Sequence, residues 1–309
     1  MTLTVLFAAP ALWDEYRLPL SAAFTASSLD ATLVQTADPA TVDYIIYAPS
    51  SPLQDFRPYT RCKAVLNLWA GVERIVGNAT LTQPLCRMVD PALTMGMVEW
   101  VVGHTLRHHL GMDHHIANPR HIWDPTVPPL ARERPVAMLG MGALGTACAQ
   151  ALTALNFPVT GWSRSAKSIS GIPCAHGEAG LQAVLRTARI VVTLLPKTPD
   201  TENLLNVRRL AMLPDGAFIL NPGRGALIDD EALLAELNSG RLAHATLDVF
   251  RVEPLPADHP FWAHPRITVT PHIAADTRPD SAANVIADNI RRGEAGLPFQ
   301  HLVDRRLGY

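Results

Sequence analysis

Three residues of this chain suit acid–base chemistry on a carbonyl or an alcohol, and each stands just after a short apolar run. Arg224 lies in Asn221-Pro-Gly-Arg-Gly225 behind Phe218-Ile-Leu220. Glu253 follows Leu247-Asp-Val-Phe250, and His272 stands in Pro271-His-Ile273 behind Ile267-Thr-Val-Thr270. Ligands of open α/β folds bind beyond the carboxyl ends of the strands, so three strand-end loops would carry a cation, a carboxylate and an imidazole to one edge. Taken singly each has a duller reading: Arg224 as a loop cap, Glu253 as a surface charge before Pro254, His272 as a satisfied buried histidine.

A second signal stands apart from these three. Residues 140 to 145 read Gly-Met-Gly-Ala-Leu-Gly, directly after the apolar run Pro135-Val-Ala-Met-Leu139 and before a helical stretch from Leu144 to Leu155. Gly140 permits a tight turn, Gly142 lets the backbone approach a pyrophosphate, and Gly145 lets the helix pack closely on the strand. The helix N-terminus, with Ala143 and Leu144, then offers free N–H groups and partial positive charge to the phosphates. This is a dinucleotide site in its required strand-before, helix-after setting.

Cofactor choice is written at the end of the next strand, Phe157-Pro-Val-Thr-Gly-Trp162. An NAD site usually places Asp or Glu about 20 residues beyond the glycines to hold the ribose 2′-hydroxyl. This chain has Ser163, Arg164 and Ser165 there, with Lys167 close behind. Hydroxyl and guanidinium groups donate to a 2′-phosphate that a carboxylate would repel, so NADPH is the preferred cofactor and NADH the second candidate.

These residues need elements to hold them. Short apolar runs alternate with longer amphipathic ones, which predicts parallel sheets covered by helices, an α/β fold of two doubly wound parallel-sheet domains. Strands are expected at Leu3 to Ala8, Tyr44 to Tyr47, Ala64 to Leu68 and Leu85 to Val89. A second set is expected at Val136 to Leu139, Val159 to Trp162, Ile190 to Leu195, Phe218 to Leu220, Ala245 to Asp248 and Ile267 to Thr270. The second set, six strands behind the glycine motif, places a Rossmann cofactor domain at 100–274. A smaller domain is expected from 1–99 together with 275–309, returned to by a helix from Ser281 to Arg292. The Pro-containing stretch Asn118 to Pro135 reads as a surface excursion.

Composition excludes several classes. The 309 residues are 48% hydrophobic and 17% charged, ordinary for a globular protein, and the formal net charge of −2 offers no basic surface for nucleic acid or an anionic membrane. Cys62, Cys86, Cys148 and Cys174 lie far apart with no C-x-x-C, so neither a disulfide framework nor a zinc knuckle is expected. No Lys or Arg precedes Arg17, so a signal peptide would lack its charged start, and no apolar run reaches the roughly 18 residues of a membrane span. A reducing, cytoplasmic setting fits. The helix expected from Met97 to Leu110 and its extension carry His104, His108, His109, His114, His115 and His121. No zincin Glu follows His104 and no third ligand is defined, so no metal is expected and these histidines read as solvated or interface side chains.

With these segments in view, the chain resembles the D-2-hydroxyacid dehydrogenase family. The matching segments are Gly140 to Gly145, Leu194-Leu-Pro196 with Thr198, Asn221 to Asp229, Leu247 to Pro256 and Thr270-Pro-His-Ile-Ala274. Trp162-Ser-Arg-Ser165, Thr277-Arg-Pro279 and Val303-Asp-Arg-Arg-Leu-Gly-Tyr309 are most similar to its bacterial glyoxylate/hydroxypyruvate reductase branch. The resemblance covers nearly the whole chain. It implies a discontinuous, flavodoxin-like substrate domain, a homodimer, and Arg224, Glu253 and His272 as the catalytic set.

By the same resemblance Asn221 and Asp248 lie near the nicotinamide half of the cofactor, and Leu195, Pro196, Ala274 and Ala275 line its cavity. Trp69, Ala70 and Gly71 form the loop that holds the substrate carboxylate, a role that backbone N–H groups around a glycine can perform. The chain departs from the related branch at Ala92-Leu-Thr-Met95, and Trp69 is bulkier than the family's small or aliphatic residue. With Met95 it would close the pocket around a small, unbranched 2-oxo acid. Hydride would pass to the carbonyl carbon, His272 would supply the proton with Glu253 stabilising the imidazolium, and Arg224 would bind the carboxylate and polarise the carbonyl. Two other readings are a dehydrogenase for a different 2-oxo acid and a nucleotide-sensing, corepressor-like binding protein.

Overall fold

The computed structural model describes residues 2–308. The chain forms two compact units, one running to Leu93 and resuming at Asp276, the other spanning Thr94–Ala275. In the first, β1 (Leu3–Ala8), β2 (Ala31–Val34), β3 (Tyr44–Tyr47), β4 (Ala64–Asn67) and β5 (Leu85–Cys86) form a parallel sheet in the order β2-β1-β3-β4-β5, with α1 (Trp13–Ala26) between the first two strands. This is the flavodoxin-like order. Its central strands are buried throughout, as expected where both faces of a parallel sheet are covered.

The second unit holds most of α2 (Pro91–His109), then α3 (Met112–Ile116), β6 (Val136–Leu139), α4 (Ala143–Ala154), β7 (Val159–Ser163), β8 (Cys174–His176) and α5 (Gly177–Thr187). It continues through β9 (Ile190–Thr193), α6 (Val207–Leu210), β10 (Ala217–Asn221), α7 (Asp230–Asn238), β11 (Leu242–Leu247) and β12 (Ile267–Val269). The order β12-β11-β10-β9-β6-β7-β8 is the Rossmann order with one further edge strand. Alternation along β6 divides the core. Val136 and Met138 pack with α2 and α4 residues such as Val101, Cys148 and Leu152, whereas Ala137 and Leu139 pack with Leu185, Leu233 and Leu237 of α5 and α7.

The chain then returns to the first unit through α8 (Pro279–Glu294), whose Ala283, Ile286, Ala287 and Ile290 recur at helical spacing and join Leu20 and Phe24 of α1 in one core. Glu294 closes this helix by accepting from Tyr44 Oη at 2.6 Å and Lys63 Nζ at 2.6 Å.

Two strands escaped the sequence reading. β2 and β8 are short edge strands with half-exposed residues, so neither carries the apolar run that marks a buried strand; the second sheet therefore has seven strands instead of six. The segment after Leu85 leaves the sheet after two residues. Helix α2 starts six residues earlier than expected, at Pro91, where the Asp90 carboxylate accepts from the N–H groups of Ala92 and Leu93.

The expectation of solvated or interface histidines fails at the end of α2. His108 and His109 are buried, because α2 lies over the sheet: His108 stacks on Phe218 with centroids 4.8 Å apart and meets Thr246 Oγ1 at 2.8 Å, and His109 packs edge-on against Phe157. Beside it His244 bonds Thr268 at 2.8 Å. Among the described residues no group of three or more His, Cys, Asp or Glu could hold a metal ion.

Burial, with Arg107 facing both rings, drives His108 down to about 3 and His244 down to about 4, against the opposing charge of Asp113. The unfolded chain binds protons near the ordinary histidine value, so it takes up protons that the fold refuses as pH falls from about 6.5 toward 4. Stability should be full above that window and decline by up to about 1.4 kcal/mol per pH unit for each histidine within it. Denaturant unfolding at several pH values checks this. His108→Asn should flatten the slope, and a native protein equally stable at neutral pH and near pH 5 would show that these rings protonate freely in the fold.

Candidate active site

The turn after β6 is built on backbone contact. Gly140 has φ +111°, and a Cβ there would lie 2.3 Å from Leu194 O; a Cβ on Gly145 would lie 1.8 Å from Gly140 O. Only glycine allows the turn to close on β9 and α4 to close on the turn. Gly142 differs: a Cβ there would meet nothing within 4 Å. Its exposed backbone, at the N-terminus of α4 with Ala143 and Leu144 following, leaves the open cradle that a pyrophosphate requires, so the residues present fit a dinucleotide.

The loop after β7 closes against this turn. Lys167 Nζ donates to Met141 O at 2.7 Å, and Gly140 N donates to Trp162 O at 2.9 Å. Ser163 is buried and its hydroxyl donates to Ser165 O at 2.8 Å, so it shapes the loop. Arg164 is exposed and reaches Asp200 Oδ2 at 3.3 Å, a partner from the loop after β9 that no local sequence signal marked. Leu195 and Pro196 begin that loop and are half-buried. Ala274 and Ala275 lie against Gly96 of α2, where a Cβ would be 3.7 Å from Ala274 O.

Three further strand ends carry the ionisable set. Asn221, the last residue of β10, is buried; its Oδ1 accepts from Thr193 Oγ1 at 2.7 Å and from Gly223 N at 3.2 Å, and its Nδ2 donates to Arg224 O at 3.0 Å. That folds the turn that bears Arg224, whose Nη1 donates to Gly223 O at 2.6 Å. A Cβ on Gly225 would lie 2.1 Å from Phe250 C, so the Arg224 turn rests directly on the turn after β11. There Phe250 N donates to Glu253 Oε1 at 2.8 Å, and Glu253 Oε2 meets His272 Nδ1 at 2.7 Å. Nδ1 is thereby committed to the carboxylate, and Nε2 is the nitrogen left to exchange a proton with a ligand. The His272 side chain is 51% exposed and that of Glu253 35%.

In the first unit, the segment Trp69 to Gly71 follows β4. The buried Asn67 amide donates to Trp69 O at 2.7 Å and Gly71 O at 3.0 Å, which turns both carbonyls inward. Trp69 is exposed, as is Met95 on α2 of the second unit. Sequence reasoning missed the bonding roles of Asn67 in the first unit and of Thr193, Thr270 and Asp200 in the second. Asn67 and Thr193 end their strands and Thr270 follows β12, each beside residues that were singled out, the one signal that could have found them.

Residues 102–274 match the family model for the NAD binding domain of D-isomer specific 2-hydroxyacid dehydrogenases. The chain belongs to this family. Over 284 residues it is 39% identical to the glyoxylate/hydroxypyruvate reductase A of Serratia proteamaculans, covering 89% of this chain and 90% of that protein. Similar solved structures include a D-isomer specific 2-hydroxyacid dehydrogenase from Xanthobacter autotrophicus in complex with NADPH and MES, with TM-score 0.91 and 38% identity over 100% of this chain and 99% of that one. Another is an NADPH-dependent glyoxylate/hydroxypyruvate reductase from Sinorhizobium meliloti in complex with NADP and sulfate, with TM-score 0.87 and 33% identity over the same shares.

Two glycines of this dehydrogenase, Gly142 and Gly145, are separable by experiment. Gly142→Val should leave the thermal midpoint nearly unchanged, since a Cβ there meets no atom within 4 Å, yet cost about 1–3 kcal/mol of dinucleotide binding by filling the cradle. Gly145→Ala should destabilise the fold itself. Calorimetric titration and thermal unfolding on the two variants give the comparison; a Gly142→Val protein that binds dinucleotide normally would place the phosphates elsewhere.

Proposed function

We propose that this chain reduces a small 2-oxo acid of the glyoxylate or hydroxypyruvate type to the 2-hydroxy acid with NADPH. The observation that carries the reading is the His272–Glu253 contact at 2.7 Å, on loops beside a turn built for a dinucleotide. The bound nicotinamide supplies the hydride. Glu253 holds Nδ1 and balances the imidazolium charge, so that His272 Nε2 delivers the proton to the developing alkoxide oxygen. Arg224 binds the substrate carboxylate and offsets the oxygen's charge as it develops. The inward carbonyls of Trp69 and Gly71 support a carboxylate contact from the N–H groups of that segment, and Trp69 and Met95 restrict substrate size.

On the cofactor, Arg164 is the cation for the 2′-phosphate, with Ser165 beside it. Lys167 contributes by tethering the loop to Met141, and Asn221 and Asp248 stand toward the nicotinamide half. The relatives described as NADPH-dependent or bound to NADP support the same choice. A homodimer is part of this reading. Ile116, Trp123, Val127 and Leu130 are apolar and exposed in the segment around Asn118 to Pro135, with Trp123 at 92%, and a second copy would cover them. A cytoplasmic setting suits four cysteines that are all free. Among the described residues no helix is long and apolar enough to cross a membrane.

His272→Ala should lower kcat for glyoxylate by roughly 10²–10⁴-fold with little change in NADPH affinity. Arg224→Ala should cost on the order of 3 kcal/mol in kcat/KM and raise KM. Near-normal turnover in the first variant excludes His272 as the acid; an unchanged KM in the second moves the carboxylate to another group. Arg164→Ala should shrink the preference for NADPH by about 10- to 150-fold, the worth of one charge-assisted hydrogen bond. Across glyoxylate, hydroxypyruvate, pyruvate and a branched 2-oxo acid, the branched acid should fall behind by about 1–3 kcal/mol in kcat/KM. Equal values would contradict a restriction on substrate size.

A further inference from the structure

Three neighbouring strands carry the dinucleotide turn and its flanks, in the order β9-β6-β7. The glycine turn follows the middle strand, so the loops after β7 and β9 stand on either side of it. A charge pair joins them: Arg164 Nη1, beyond β7, donates to Asp200 Oδ2, beyond β9, at 3.3 Å. The loop that presents Asp200 is fixed from within. Thr201 Oγ1 donates to Pro196 O at 2.7 Å and accepts from Thr198 N at 2.8 Å, while Glu202 N donates to Thr198 O at 3.0 Å. The other carboxylate of this loop, Glu202, faces Arg251 at 3.6 Å, so Asp200 is the one that meets the cofactor cation.

We propose that Asp200 is a specificity-determining residue whose carboxylate competes with the cofactor's 2′-phosphate for Arg164 and so holds down the preference for NADPH. This rests on the reading of Arg164 as the phosphate cation. The 2′-phosphate carries about two negative charges at neutral pH and must take the guanidinium from an ion pair instead of from water. NADH brings no charge to this place, so the cost falls on NADPH alone. Specificity is a difference of two affinities, and a repulsive group trims it as directly as an attractive one builds it. The pair itself yields to the ligand: its side chains are 48% and 71% exposed, where water weakens the attraction of two single charges.

The test measures NADPH and NADH affinity by calorimetry on the full-length protein and on Asp200→Asn, Asp200→Glu and Arg164→Ala. Lys197, the exposed cation of the same loop, is kept in every variant. Asp200→Asn should tighten NADPH by about 2- to 10-fold, the effect of removing one exposed charge from the neighbourhood of a dianion, and leave NADH unchanged. The gain should shrink as salt rises, because screening weakens the repulsion that the substitution removes. Asp200→Glu keeps the charge and should stay close to the native values. In an Arg164→Ala background the Asp200→Asn gain should be smaller, since no guanidinium remains to be freed.

Native NADPH affinity in Asp200→Asn would overturn the proposal, as would NADPH and NADH tightened alike. The second result would make the pair a steric bar to the adenosine of either cofactor. Arg164→Ala with an undiminished NADPH preference would instead overturn the reading of Arg164 as the phosphate cation, and the competition for it with that reading.

Discussion

Everything at the carboxyl edge of the second sheet depends on backbone packing directly against backbone. The turn after β6 touches the end of β9 at Gly140, and the turn after β10 touches β9 at Gly223, where a Cβ would lie 2.6 Å from Thr193 O. That same turn rests on the one after β11 at Gly225. Four neighbouring strand ends are thus joined into one platform with no side chain between them. Arg224, Glu253 and the dinucleotide cradle stand on turns of that platform, so a substitution at one glycine would move groups that belong to another strand.

Buried polar side chains fix what the glycines allow. Asn221 folds the Arg224 turn and Asp248 folds the His272 turn, and in the other unit Asn67 folds the segment from Trp69 to Gly71. Each stands at or just beyond the end of its strand; Asn221 and Asn67 bond the loop that follows, and Asp248 bonds the turn after the neighbouring β12. The arrangement sets the exposed imidazole and the half-buried guanidinium on a rigid base, which preorganised catalysis requires, because groups already aimed at developing charge need no reorganisation during the reaction.

Much of this was legible in the sequence, for a physical reason in each case. The Gly140 to Gly145 turn leaves its trace because steric exclusion tolerates one residue type, and the central strands leave theirs because burial on both faces demands apolar runs. The edge strands β2 and β8 carry no such demand. His108 and His109 read as surface residues because the helical pattern of α2 does not reveal which polar side chains find Thr246 or Phe157 beneath them. Ser163 and Lys167 were read as phosphate ligands from their position alone, but they also hold the loop together, and Arg164 has a carboxylate neighbour, Asp200, from 36 residues away in the chain. Residue type announces what a group can do; only packing shows what it is already doing.

The account turns on a cofactor loop that has a cation and no carboxylate at the strand end where an NAD enzyme would carry its acid. The most direct measurement is kcat/KM of the native protein for NADPH and for NADH with glyoxylate as acceptor, read from the loss of nicotinamide absorbance under matched salt. The account predicts turnover with both and a preference for NADPH of about tenfold or more, from one charge-assisted contact to the 2′-phosphate. A preference for NADH, or no glyoxylate-dependent oxidation of either cofactor, would contradict it.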